Sequence, residues 1–134
     1  MDLNQFSVRI SDIGRQIEVN SLEVMKNTAL VVDQAVVLAT PVDTGRARSN
    51  WITELNQPTS EIVPASDRSG QGAISQGAAV IAQARQGNTI HITNNLPYIS
   101  RLNNGYSAQA PASFVEQAIQ IGVNAIRHAR GLFR

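Results

Sequence analysis

Helical periodicity at both ends of the chain, with short β-branched runs between, predicts an α+β domain. The first signal is a stripe formed by Ile10, Ile13, Ile17, Met25, Ala29, Val32, Val36 and Ala39, at spacings of three and four. The second is a pair of strand-like runs, Ala47 to Leu55 and Thr89 to Thr93. The third is a closing stripe of Phe114, Val115, Ala118, Ile119, Gly122, Val123 and Ile126. With 134 residues the chain suits one domain, 1–134.

The leading helix is expected over about 11–40. Ser11 is its N-cap, Asp12 suits its first turn, and Pro41 stops it, because proline disfavours helix at the residue before it. Thirty residues would make a rod of about 45 Å. Its second half, 29–39, is apolar except for Asp33 and Gln34. A helix apolar on every side is buried on every side. One small sheet covers one side, which leaves either a snug two-layer core or a second subunit to cover the other.

Sheet and loops should occupy 42–111. Val42-Asp43-Thr44-Gly45 reads as a turn into the first strand, where Trp51, Thr53 and Leu55 alternate with Asn50, Ile52 and Glu54. Gln57-Pro58 ends that strand, and Glu61-Ile62-Val63 reads as a short returning one. Residues 66–77, rich in Ser, Gly and Gln, are expected to be a mobile loop that orders on docking. Next come a short middle helix from about Ala73 to Arg85, the Thr89–Thr93 strand, and a helical turn over Pro97 to Leu102. Ala110-Pro111 opens the C-terminal helix, about 112–130. Arg127, His128 and Arg130 in its last turns complement the negative helix end.

Composition narrows the function classes. Aromatic residues make up 4% of the chain, so the core must be largely Ala, Val, Ile and Leu. Charged residues make up 16%, below the roughly 25% usual for soluble domains. Such a surface suits coverage by partners, although abundant Asn, Gln and Ser keep it wet. The net charge of +1 is too small for a protein held mainly by nucleic acid. It is also unevenly spread. Residues 1–67 carry nine acids and five bases, and residues 68–134 carry one acid and six bases. Opposite halves could meet between copies, as head-to-tail ring contacts do, or within one fold. The absence of cysteine excludes disulfides and thiolate metal sites. The polar start Met1-Asp2-Leu3-Asn4-Gln5 lacks the pattern of a signal peptide, and no apolar run approaches the ~18 residues of a membrane span, so synthesis in a cytoplasm is expected.

The isolated motifs favour structure over chemistry. Asp43-Thr44-Gly45 matches the triplet of aspartic proteases, whose two carboxylates share a proton. Here a helix and Pro41 precede the triplet and Arg46 follows it, where a cation would lower the carboxyl pKa and spoil that sharing. A turn fits better, with Asp43 folding back on backbone N–H groups and Gly45 at positive φ. Gly70-Gln71-Gly72 lacks the context of a phosphate cradle. Two histidines, His91 and His128, are too few for a metal site. Arg127, Arg130 and Arg134 suit subunit contact, or DNA in the lumen of a ring, or a solvated helix end.

One ordered set is specific. Pro41-Val42-Asp43-Thr44-Gly45-Arg46-Ala47-Arg48-Ser49-Asn50-Trp51 follows the long helix. About forty residues later come Asn94-Asn95-Leu96-Pro97-Tyr98, then Leu102, Gly105, Ser107, Gln109-Ala110-Pro111 and Phe114-Val115. This set, spanning 41–116, resembles the tail-completion or neck proteins of long-tailed bacteriophages, of the minor tail protein Z type. In that family a P-x-D-T-G turn starts the sheet, and an N-N-x-x-Y … L … G … Q-A-P … F-V stretch joins the last strand to the last helix. Ala112-Ser113 stands where the family often has Gly, and 57–87 is hard to align.

The resemblance implies a long N-terminal helix packed on a small, mostly antiparallel sheet, with a short middle helix and a C-terminal helix. It implies a structural virion protein forming a ring, hexameric like a tail tube, at the head–tail junction or the head-proximal end of the tail. That ring would complete the tail and enable head–tail joining. The implied partners are other copies, tail terminator, tail tube or head–tail connector proteins, and DNA passing through the lumen without sequence-specific binding. No enzyme activity, cofactor, metal or membrane is implied. The implied location is the virion, after assembly in the host cytoplasm. Within this reading Trp51 packs on the helix, Tyr98 and Leu102 cap a core edge, and Gly105 to Pro111 forms an extended strap. Arg46 and Arg48 hold the turn or reach a neighbour. The alternatives are a head-side connector or tail terminator subunit, and a small nucleic-acid-binding module using the C-terminal arginines.

Overall fold

The computed structural model describes residues 6–9, 22–41, 45–65, 67–97, 99, 103 and 113–132, with the backbone alone for 6–9 and 126–132. The fold is α+β. In chain order it comprises β1 (Phe6–Arg9), α1 (Leu22–Ala39), α2 (Arg46–Ser49), β2 (Ile52–Leu55), α3 (Gln71–Ala82), β3 (Ile90–Asn94) and α4 (Phe114–Leu132). The three strands form one antiparallel sheet in the order β1-β3-β2. Phe6 pairs with Asn94, and Ile52 with Thr93.

The expected long helix is present as the 18 residues of α1, about 27 Å long. The expected segment 11–21 lies outside the described residues. Pro41 follows directly after the last turn, as the sequence required, and is itself buried. α1 packs along α4 on one side and α3 on another. Val32 meets α4 at Gly122, where an added Cβ would run into Val32 Cγ2. That close approach needs a residue without a side chain.

The second half of α1 is apolar on nearly every side, as its sequence reads, but within one chain it is not buried on every side. Ala29, Val32, Val36 and Val37 are fully buried, but Leu30 and Leu38 are 38% and 45% exposed, with Gln34 exposed between them. Two helices of the same chain, α3 and α4, cover α1 on two sides. Val36, Val37, Trp51, Ile90, Ile92 and Phe114 share one apolar core with both helices. On the β2–β3 pair, Thr53 stands opposite Ile92 and Leu55 opposite Ile90, so these four share the core face. Glu54 and His91 are paired on the other face.

Four sequence expectations change. The strand 47–55 begins only at Ile52, because Gly45 launches the helical turn α2, closed by Ser49 N–H donating to Gly45 O. Residues 61–63 form no strand; side-chain amides hold their backbone instead. The loop 66–77 ends at Gly70, where α3 begins two residues earlier than expected. Strand β1 was not anticipated. The expected middle helix, the Thr89–Thr93 strand and the last helix each fall within a few residues of α3, β3 and α4. Among the described residues no helix is long and apolar enough to cross a membrane.

Candidate functional site: the helix exit and its amide clamps

The end of α1 and the segment 45–51 meet in a hydrogen-bonding hub. The last carbonyls of a helix have no partner within it. Here Arg48 supplies them. Its Nη2 donates to Leu38 O at 3.0 Å and its Nε to Thr40 O at 2.9 Å. Its Nη1 donates to Arg68 O at 3.1 Å and Ser69 O at 3.4 Å. α1 has no basic residue in its last turn, so Arg48 also supplies the cation that suits the negative helix end. Arg48 thus ties the end of α1 to the 68–69 segment within the chain.

Gly45 sits at φ 85, as the sequence required. A Cβ there would lie 2.9 Å from Arg68 Cα and 3.0 Å from Arg68 N, so the turn and the 67–70 segment touch backbone to backbone. Trp51 is 1% exposed, and its Nε1 donates to Thr40 Oγ1 at 2.8 Å. Thr40 Oγ1 donates in turn to Val36 O. The indole therefore locks onto the last turn of α1, the anchoring role expected of it. Pro41 stands beside this lock, and Arg46 opens α2 with an exposed side chain.

Three side-chain amides act as substitute strands. A primary amide offers a donor and an acceptor side by side, as a peptide group does. Asn50 accepts from Val63 N–H and donates to Val63 O, both at 2.8 Å. Asn95 donates to Thr59 O and Glu61 O. Together they hold the 59–63 strap that the sequence suggested as a strand. Gln76 of α3 accepts from Thr53 N–H at 3.0 Å and donates to Thr53 O at 2.9 Å, which covers the free edge of β2. Asn94 is fully buried and ties β3 to α2 by donating to Ala47 O. Asn103 accepts from Val115 N–H and donates to Glu116, capping the start of α4. Asn50, Asn94, Asn95 and Asn103 are buried, while Asn27, Asn56 and Asn124 stay at the surface as expected.

Asp67 caps α3 with a carboxylate. Hydrogen bonds from the Ser69 hydroxyl, Ser69 N–H and Gly72 N–H hold its carboxyl below the ordinary range. These bonds explain why the segment after Asp67 is helical.

Asp33 is the outlier. It is 1% exposed, its Oδ1 has no hydrogen-bond partner, and burial pushes its carboxyl up to about 7. Across from it, Gly77 of α3 leaves room for the carboxyl. A Cβ on Gly77 would collide with Asp33 Oδ2 and come within 3.0 Å of Thr53 Oγ1. Thr53 Oγ1 is likewise buried without a partner. The sequence reading treated Asp33 only as a break in an apolar run. A useful signal was its place four residues from Ala29 and from Val37, both fully buried.

The motif residues Asp43, Thr44, Tyr98, Gly105, Gln109 and Pro111 lie outside the described residues, as does Arg134. Arg127 and Arg130 fall in α4, with their side chains outside the description. An open groove of about 440 Å³ runs beside the end of β2, lined by Glu54 to Thr59. Among the described residues no group of three His, Cys, Asp or Glu could hold a metal ion. Comparisons of the chain with protein-family models, curated proteins and solved structures found no match.

Proposed function

We propose that this chain is a structural virion protein that forms a ring at the head–tail junction or the head-proximal end of a bacteriophage tail. In this reading it completes the tail and allows head joining, and it works in the particle after assembly in the host cytoplasm. One observation carries the reading. The described residues of the family-like pattern are spent on backbone: Gly45 permits the turn, Arg48 and Trp51 lock the helix exit, and Asn94 and Asn95 fasten neighbouring segments. A scaffold whose output is shape uses polar groups in this way. The exposed Leu30 and Leu38, two turns apart on α1, offer apolar surface to a neighbour. The partners are other copies, together with terminator, tube or connector proteins, and DNA passes through the lumen without sequence readout.

Negative-stain imaging of the purified protein, alone and mixed with tail tubes, tests the proposal. Closed rings, or caps on tube ends, are the expected result. A monomer at every concentration that leaves tubes bare would reject it.

A further inference from the structure

The buried carboxyl of Asp33 and the clamp on β2 meet on one helix. Consecutive residues of α3, Gln76 and Gly77, perform two tasks. Gln76 covers the Thr53 backbone through two hydrogen bonds, and Gly77 seals Asp33 away from water. We propose that α3 is a proton-controlled clasp: ionisation of Asp33 drives α3 outward and frees the β2 edge that Gln76 covers.

The geometry supplies the reason. α1 and α3 run antiparallel, with Val37 against Gly70, Asp33 against Gly77, and Lys26 Nζ donating to Ala82 O at 3.0 Å. Asp33 therefore lies near the middle of the interface. A carboxylate formed there keeps a buried oxygen without a donor, and the way to hydrate it is to part the two helices. Neutral Asp33 carries no such penalty, and burial already favours that form.

Among the described residues no charged group stands as a counter-ion to Asp33. α3 contains no titratable residue from Gln71 to Ala82. β2 contributes only Glu54, which shares the opposite sheet face with His91 of β3. On α1, Lys26 is two turns away and held by Ala82 O, and Glu23 lies further along. Arg48 of α2 is engaged with four carbonyls, and Glu116 of α4 is bonded to Asn103. Arg46 of α2 is exposed at the turn.

The seam beside Asp33 is built from small side chains, Ala73 and Gly77, while Ile81 one turn further along anchors α3 in the core, so the parting is confined to the part of α3 that faces Asp33 and Thr53. α4 packs on α1 through Val32 and Gly122, away from this seam, and can hold the core meanwhile. The device does not depend on the ring reading above.

Amide hydrogen exchange of the full-length protein, expressed as protection factors at about pH 5 and about pH 8, reads it directly. The Thr53 amide and the amides of α3 should lose protection by about tenfold or more at the higher pH, while those of α4 keep theirs. The loss should share its midpoint with the titration of the Asp33 carboxyl carbon followed by NMR in the same wild-type protein. Asp33→Asn should abolish the pH dependence, and Gln76→Ala should lower Thr53 protection at about pH 5 with little further loss at about pH 8. Equal protection at both pH values, a midpoint apart from that of Asp33, or an unchanged loss in Asp33→Asn would overturn the proposal. The wild-type measurements decide the matter even if a variant fails to fold.

Discussion

Replacing Asp33 by Asn removes the titration and nearly preserves the shape. In the folded chain this carboxyl is raised from 3.8 to about 7 by burial. The native state therefore binds the proton more tightly than the unfolded state does. The stability supplied by the neutral carboxyl is complete below about pH 4 and is lost as pH rises to about 7. Three units at about 1.4 kcal/mol each cap the loss at about 4 kcal/mol. It will be smaller if α3 parts from α1, because the carboxylate then reaches water. Asparagine cannot ionise, so its own contribution does not change over this range. The stability difference, variant minus wild type, should thus grow in favour of the variant from about pH 4 to pH 7 and then level off. Trp51 reports the transition, since it is the single tryptophan and is buried. Urea unfolding followed by its fluorescence across that range gives the difference directly. A difference that stays constant with pH, or that shrinks as pH rises, would refute the assignment of a buried, unpaired acid.

Other substitutions probe the remaining joints. Gly45→Val should destabilise by about 1–3 kcal/mol in the same urea assay, because it strains a φ of 85 and meets the Arg68 backbone; an unchanged midpoint would reject the turn geometry. Arg48→Met should cost about 2 kcal/mol, and Arg48→Lys should recover little of it, because an ammonium cannot span carbonyls on two segments. Equal stability of the Arg and Lys proteins would show that charge alone matters there. Gly122→Ala should lower stability by about 1–3 kcal/mol through its clash with Val32 Cγ2, and adding Val32→Ala should offset part of the loss; additive effects would place the two residues apart. If opposite-charge halves join copies, the oligomer mass seen by light scattering should fall from low to high salt, and a constant mass would remove charge as the cause.

Local rules were legible where one residue type permits one backbone. Pro41 set the end of α1, and Gly45 had to take positive φ. Trp51 was the lone large anchor available to the helix exit. The inner face of α4 followed from spacing, with Phe114, Val115, Ala118, Gly122 and Val123 all buried. What escaped depended on tertiary partners. The middle helix was expected but its start was not: α3 opens two residues early, at Gln71-Gly72, where the Asp67 carboxylate accepts from Gly72 N–H. β1 carries an alternation, Phe6-Ser7-Val8-Arg9, but Ile10 continued it into the helical stripe and the strand was absorbed there. The amide clamps of Asn50, Asn95 and Gln76 leave no periodic trace, because each reaches a backbone group at least a dozen residues away. Asp33 read only as a break in an apolar run, since sequence alone does not show that Gly77 will close over it.

The most direct test of the ring reading is cryo-electron microscopy of the intact particles that carry this chain, with the α1–α4 pair and the three-stranded sheet fitted as one body. The account predicts a closed ring of copies where the tail meets the head, with Leu30 and Leu38 turned toward a neighbouring subunit. Particles whose head–tail junction is filled by other chains, with this one absent, would contradict it.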